Sequence, residues 1–177
     1  MNTTQTRSTL VEPGTVRLER LLPGPLERVW AYLTEAGKRA KWLAGGEFDL
    51  RVGGKVRLEF DNNTLSSDKN PPPKYQGREK HGGDGVITRL EPMRLLAHTW
   101  VWESGPTEVT YELTPRGKQV LLVIVHRRLP ASRDALASVM GGWDVHSGVL
   151  EDVLNGVEPR PFWATHTRLE KEYSSAV

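Results

Sequence analysis

Residues 141–154 read Gly-Gly-Trp-Asp-Val-His-Ser-Gly-Val-Leu-Glu-Asp-Val-Leu, and they follow an unbroken series of alternating strands. Trp143, His146, Leu150, Val153 and Leu154 fall on one stripe at helical spacing. Gly142 and Trp143 open this long helix, and Gly141-Gly142 interrupts or kinks the shorter helical segment that Ser132 caps. Gly156 closes the helix, and Pro159 and Pro161 prevent its continuation. A sheet with one apolar face needs a cover, and this helix is the element long enough to supply it. A straight helix laid across a twisted sheet leaves a hollow, and hollows of that kind take small apolar molecules.

Working back from the helix, the strands are regular. Val120, Leu122, Ile124 and His126 share one face of a strand. Val109, Tyr111 and Leu113 alternate with Thr110, Glu112 and Thr114. Residues 95–102 carry Leu96, His98, Trp100 and Trp102 on one face, and residues 85–90 form the strand before them. Phe48, Leu50 and Val52, then Val56, Leu58 and Phe60, alternate with charged residues on either side of Gly53-Gly54, which predicts a hairpin with its apolar set on the covered face. Near the start, Val16 and Leu18 mark a first strand. Leu26, Val29, Trp30 and Leu33 then give a short helix ended by Gly37, and Ala40, Trp42 and Leu43 suggest a second. After the long helix, Phe162, Trp163, His166, Leu169 and Tyr173 form a last helical stretch.

Two regions break the pattern. Residues 1–14 are polar, lack the apolar core of a signal peptide and read as a flexible tail, leaving 15–177 as one domain. Residues 61–80, with Pro71-Pro72-Pro73, read as a mobile or loosely packed inserted loop. The 177 residues carry 24 Lys and Arg against 22 Asp and Glu, too even a balance to suggest a nucleic-acid partner. The short basic groups, Lys38-Arg39 with Lys41 among them, read as solvated faces. With no cysteine there is no disulfide framework, which is compatible with the cytoplasm. No apolar run reaches the ~20 residues that span a bilayer, so no integral membrane segment is expected.

The order of elements resembles the helix-grip fold of the START-like, or SRPBCC, superfamily, to which the birch-pollen allergens belong. Within it the chain is similar to the C-terminal domain of the activator of heat-shock-protein-90 ATPase. The resemblance rests on Pro25-Leu26-Glu27-Arg28-Val29-Trp30, Trp42, Asp49-Leu50-Arg51-Val52-Gly53-Gly54, the Thr99-Trp100 strand end, and Gly142-Trp143 with Leu150 and Leu154. Phe162-Trp163 and Tyr173 match the tail of many bacterial members. It implies an α+β fold: a seven-stranded antiparallel sheet wrapped around a long C-terminal helix, with two short helices after the first strand. It also implies a small hydrophobic ligand, lipids included, or a chaperone as partner, in a monomer or weak homodimer.

The residues expected to line a cavity between sheet and helix are Trp42, Phe60, His98, Trp100, Tyr111, Ile124, Trp143, His146 and Leu150. For most of them plain core packing is the commoner account. His98, Tyr111 and His146 stand out because a buried polar group needs a partner. They support an alternative class, an enzyme of cyclase or hydrolase kind in which a His or Tyr moves a proton. Ser138, Asp144 and His146 lack the strand-turn-helix setting of a nucleophile. His98, His126 and His146 fit no local metal-ligand spacing, so neither metal nor other cofactor is expected. A non-catalytic ligand-binding protein is the leading expectation.

Overall fold

The computed structural model describes residues 7–177. Its strands are β1 (Thr9–Glu12), β2 (Thr15–Pro23), β3 (Lys55–Asp61), β4 (Lys80–Glu91), β5 (Leu95–Trp102), β6 (Gly105–Arg116) and β7 (Gln119–Arg127). The helices are α1 (Leu26–Thr34), α2 (Ala36–Arg39), α3 (Arg133–Leu154) and α4 (Phe162–Ala176). All seven strands form one antiparallel sheet in the order β1-β2-β7-β6-β5-β4-β3. Alternation along each strand buries one face: Val16, Leu18 and Leu22; Val109, Tyr111 and Leu113; Val120, Leu122 and Ile124. The α3 helix lies over that face with Trp143, Val149 and Leu150 buried against it. This is the expected α+β helix-grip architecture.

The count of seven strands is as expected, but the membership is not. Residues 48–52 form no strand, and Thr9–Glu12, read as tail, supplies one instead by pairing with β2. The remainder of the tail, residues 1–6, lies outside the described residues. A two-residue turn at Gly53-Gly54 would pair Val52 with Lys55. The observed bridge is Phe48 with Val56, so the chain turns over a longer span. Leu50 and Val52 are consequently exposed, 43% and 64%, while Phe48, Val56, Leu58 and Phe60 are buried as expected.

The pairing ends past Asp49, where Arg51 N donates to the Asp49 carbonyl, Gly54 N to the Arg51 carbonyl and Gly53 N to the Ile87 carbonyl of β4. Arg39, read as solvated, is buried. Its guanidinium sits 3.6 Å from the centroid of the Phe48 ring and donates to the carbonyls of Leu33, Thr34, Ala44 and Gly46. The alternate carbonyls, Gly45 and Glu47, accept from Glu59 N and Arg57 N of β3. Burial lowers the Arg39 pKa to about 10, so it keeps its charge.

Three further expectations are corrected. Gly37 lies inside α2 and does not end the first helix. Helix α3 is continuous from Arg133, so Gly141-Gly142 neither opens nor interrupts it. A Cβ on Gly141 would stand 3.2 Å from the backbone nitrogen of Glu170. That glycine lets α4 approach α3 closely.

The inserted region is not loosely packed. Strand β4 already begins at Lys80, and Leu65 and Ser66 are buried. Helix α4 starts after Pro161 without a cap of its own. Ser66 Oγ accepts from Phe162 N at 3.0 Å, and Asp68 Oδ2 from Ala164 N at 2.9 Å. The insertion thus supplies the acceptors that a helix N-terminus needs.

Candidate functional site

Strand β4 hands over between partners. Its first half pairs with β3 through Lys80–Val86, and its ladder to β5 is confined to Ile87–Glu91. Beside this handover lies a half-open cavity of about 660 Å³. The sheet contributes Phe60, His81, Gly82, Trp100, Trp102 and His126; the helices contribute Gly142, Trp143, His146, Phe162, Trp163 and His166. Asn62, Tyr75 and Arg78 reach it from the insertion. Four of the chain's five histidines and four of its six tryptophans are in this lining, so it is aromatic and polar rather than aliphatic.

The sheet wall is a row of parallel rings. His81 stacks on Phe60 at 4.4 Å, Phe60 on Trp100 at 5.2 Å and Trp100 on His126 at 5.6 Å, all within 12° of parallel. Rings from β3, β5 and β7 meet because the intervening strands carry small residues there. Gly83 of β4 lies under the Trp100 indole, where a Cβ would stand 2.6 Å from Nε1. Thr107 of β6 pairs with Trp100 in register and donates to its carbonyl at 2.9 Å.

Hydrogen bonds fix the protonation of the rings. Trp143 Nε1 donates to His126 Nδ1 at 3.1 Å, so His126 carries its proton on Nε2 and donates to Thr107 Oγ1 at 2.8 Å. His146 Nδ1 donates to the Trp42 carbonyl at 2.8 Å. Burial pushes both His126 and His146 down to about 3, so both are neutral near pH 7. At the α4 side, Tyr75 OH donates to Glu170 Oε2 at 2.5 Å and lies 2.9 Å from Ser138 Oγ; Lys74 pairs with the same carboxylate.

Of the nine residues expected at the site, Phe60, Trp100, Trp143 and His146 line this cavity. Trp42 lies beneath it, donating to the Tyr32 carbonyl at 2.7 Å, while its own carbonyl orients His146. His98 and Tyr111 turn to each other: His98 Nδ1 donates to the Thr99 carbonyl at 2.9 Å and Nε2 accepts from Tyr111 OH at 3.0 Å. Ile124 and Leu150 are fully buried core. Ser138 lines the same cavity as His146, but its hydroxyl is engaged with Tyr75, and Asp144 binds Ser8 and Tyr173 on another flank of α3. Among the described residues no group of three or more His, Asp or Glu is placed to hold a metal ion, and no helix is long and apolar enough to cross a membrane. His81, His126, Phe162, Trp163 and His166 were not picked out as lining residues by sequence reasoning. The available signal was His126, on the same strand face as the apolar residues of β7.

The chain matches the family described as Activator of Hsp90 ATPase homolog 1-like protein over residues 23–155. A protein from Bordetella parapertussis, solved by solution NMR, is 41% identical, with 96% of this chain and 89% of that one aligned at a TM-score of 0.80. This protein therefore belongs to the Activator of Hsp90 ATPase homolog 1-like family, within the START-like superfamily. More distant structures share the fold. CalU16 from Micromonospora echinospora is 23% identical over 97% of this chain and 94% of its own, with a TM-score of 0.67. DynU16, from the dynemicin biosynthetic locus, is 19% identical over 86% of this chain and 51% of its own, with a TM-score of 0.66. No curated protein matches the chain.

Proposed function

We propose that this protein binds a small hydrophobic molecule, without transforming it, in the cavity between the sheet, α3, α4 and the insertion. The observation that carries the reading is the cavity itself: about 660 Å³, walled by stacked aromatic rings and open to solvent on one side. Its size falls in the range of small-molecule sites. Two features count against acid–base chemistry there. The lining histidines His126 and His146 titrate far below neutral pH, and the buried His98–Tyr111 pair is engaged internally and outside the lining.

Gly142 provides the test. It lines the cavity, and a Cβ added there meets nothing within 4 Å. Gly142→Leu should fill the space and also improve the helix by removing a mid-helix glycine. The expected result is a folded variant of equal or higher melting temperature that no longer binds an environment-sensitive hydrophobic dye. Native mass spectrometry of the wild-type protein should also show a co-purified molecule that the variant lacks. Undiminished dye binding by a folded variant places the site elsewhere. A chaperone-facing interaction surface, the other activity that the family suggests, then becomes the better reading.

A further inference from the structure

Buried polar side-chain atoms nearly always find a hydrogen-bond partner. Among the described residues two fully buried ones do not, Asn62 Oδ1 and His166 Nδ1, and both residues line the cavity. His146 Nε2, in the same lining, has no protein partner either; the ring's hydrogen bond is made through Nδ1. The far side of each imidazole decides what these nitrogens offer. His146 Nδ1 faces the Trp42 carbonyl and His166 Nε2 faces the Ser138 carbonyl at 3.2 Å. A carbonyl can only accept, so those nitrogens carry the protons and His146 Nε2 and His166 Nδ1 hold lone pairs. Glu170 Oε2, 3.5 Å from His166 Nδ1, already accepts from Tyr75 and has no proton to give. All three unpartnered atoms are acceptors.

Three donors around them are engaged. Trp143 Nε1 is on His126, Trp163 Nε1 on Asn63 Oδ1 at 2.8 Å, and Tyr75 OH on Glu170. Other donors of the same lining have no protein partner among the described residues: the Asn62 Nδ2 amide, the Trp100 and Trp102 indole nitrogens and the exposed Arg78 guanidinium.

Resting on the reading that the cavity holds a small hydrophobic molecule, we infer that this ligand carries hydrogen-bond donors: an apolar, ring-sized body bearing hydroxyl groups that donate to His146, Asn62 and His166. A ketone or carboxylate brings no donor to these three atoms. A purely hydrocarbon ligand would bury them without partners, which is unfavourable for each. Desolvation lowers the pKa of His146 and His166, so neither ring takes up a second proton near neutral pH.

The test is a matched set of probes titrated into the wild-type protein at pH 7 by calorimetry or NMR: methylnaphthalene, naphthol, acetylnaphthalene and naphthoate, substituted at one ring position. Naphthol should bind about tenfold or more tighter than methylnaphthalene, as one well-placed buried hydrogen bond implies. Acetylnaphthalene and naphthoate should bind more weakly than naphthol. His146→Phe should bring naphthol down to the methylnaphthalene level while leaving methylnaphthalene bound. If that variant does not fold, Asn62→Leu should narrow the same gap. Equal affinity for naphthol and methylnaphthalene in the wild type overturns the inference, as does tighter binding of the ketone or carboxylate, or an undiminished gap in the folded variants. Failure of all four probes to bind is a different result: it removes the cavity as a ligand site, and the inference falls with it.

Discussion

On one flank of α3, Asp144 and Ser147 meet partners at every side-chain polar atom; on another flank of the same helix, His146 faces a cavity with Nε2 unengaged. Asp144 accepts from Ser8 N at 2.9 Å, Ser8 Oγ at 2.6 Å and Tyr173 OH. Arg20 projects from the covered face of β2 and donates to Ser147 Oγ at 2.9 Å, Glu151 Oε2 at 2.9 Å and the Asp144 carbonyl at 3.3 Å. Arg160 adds a second cation to Glu151 and pairs with Asp152 at 2.7 Å. Neither of the two orphaned buried atoms belongs to this network; both are at the cavity. A polar group that completes a network holds a structure together, whereas one left incomplete lowers stability and persists where something outside the chain completes it.

The largest expected effect tests the first half of that contrast. Arg20→Met keeps the stem of the side chain and removes the guanidinium. It removes the donor to Ser147 Oγ and one of the donors to the Asp144 carbonyl and to Glu151. Breaking a buried pair by removing one partner costs about 3–5 kcal/mol, and denaturant unfolding should show a loss of that order. A loss under ~1 kcal/mol would put this network in the class of exposed ion pairs and remove the contrast.

Acid should act on the other flank, since the Arg20 network contains no histidine. His98 is lowered to about 4, and His126 and His146 to about 3, in each case mainly by desolvation. In the unfolded chain all three titrate near 6.5. Between these values the unfolded chain binds protons that the folded one excludes. Stability is therefore complete above pH ~6.5 and falls as pH is lowered toward ~4, by up to about 1.4 kcal/mol per pH unit for each histidine. Melting temperatures at pH 7.5, 6 and 5 should decline progressively. A flat profile over that range would mean that these rings are hydrated and that the cavity flank is wetter than its burial implies. The depressed carboxylates Asp152 and Glu170 add their loss only at lower pH.

Strand alternation and helical stripes made most of the fold legible, because Phe60, Tyr111, Ile124 and Trp143 each lie where their period puts them. Where reading failed, a non-local contact outweighed the local pattern. Residues 48–52 alternate as a strand should, yet past Asp49 the chain leaves β3 and Gly53 N donates to the Ile87 carbonyl of β4. The insertion looks like loose chain, yet Ser66 and Asp68 are bound to a helix nearly a hundred residues further on. The cavity was half legible for the same reason. Periodicity separates inward from outward, and it cannot say which inward residues touch one another and which face empty space. That division depends on the β4 handover, on Gly83 under Trp100 and on the approach of α4 at Gly141.

The smallest expected effect tests the second half of the contrast, and Asn62→Leu is the cleanest form of it. The Asn62 side chain makes no hydrogen bond, and its backbone N–H goes to the Glu79 carbonyl at 2.9 Å, which the substitution leaves alone. Leucine is close to asparagine in size and removes a buried oxygen that has no partner. Replacing an unsatisfied polar group by an apolar one of the same shape is neutral to stabilising, so unfolding free energy should stay level or rise by up to about 1 kcal/mol. The same change should weaken binding of a hydroxyl-bearing probe. Stability and binding then move in opposite directions at one residue, as they do where a site is kept for function at the expense of the fold. If Asn62→Leu instead destabilises by more than ~1 kcal/mol, the amide has a structural duty like that of Arg20. The two flanks of α3 would then differ in degree of burial only, and the unpartnered atoms would no longer point to a ligand.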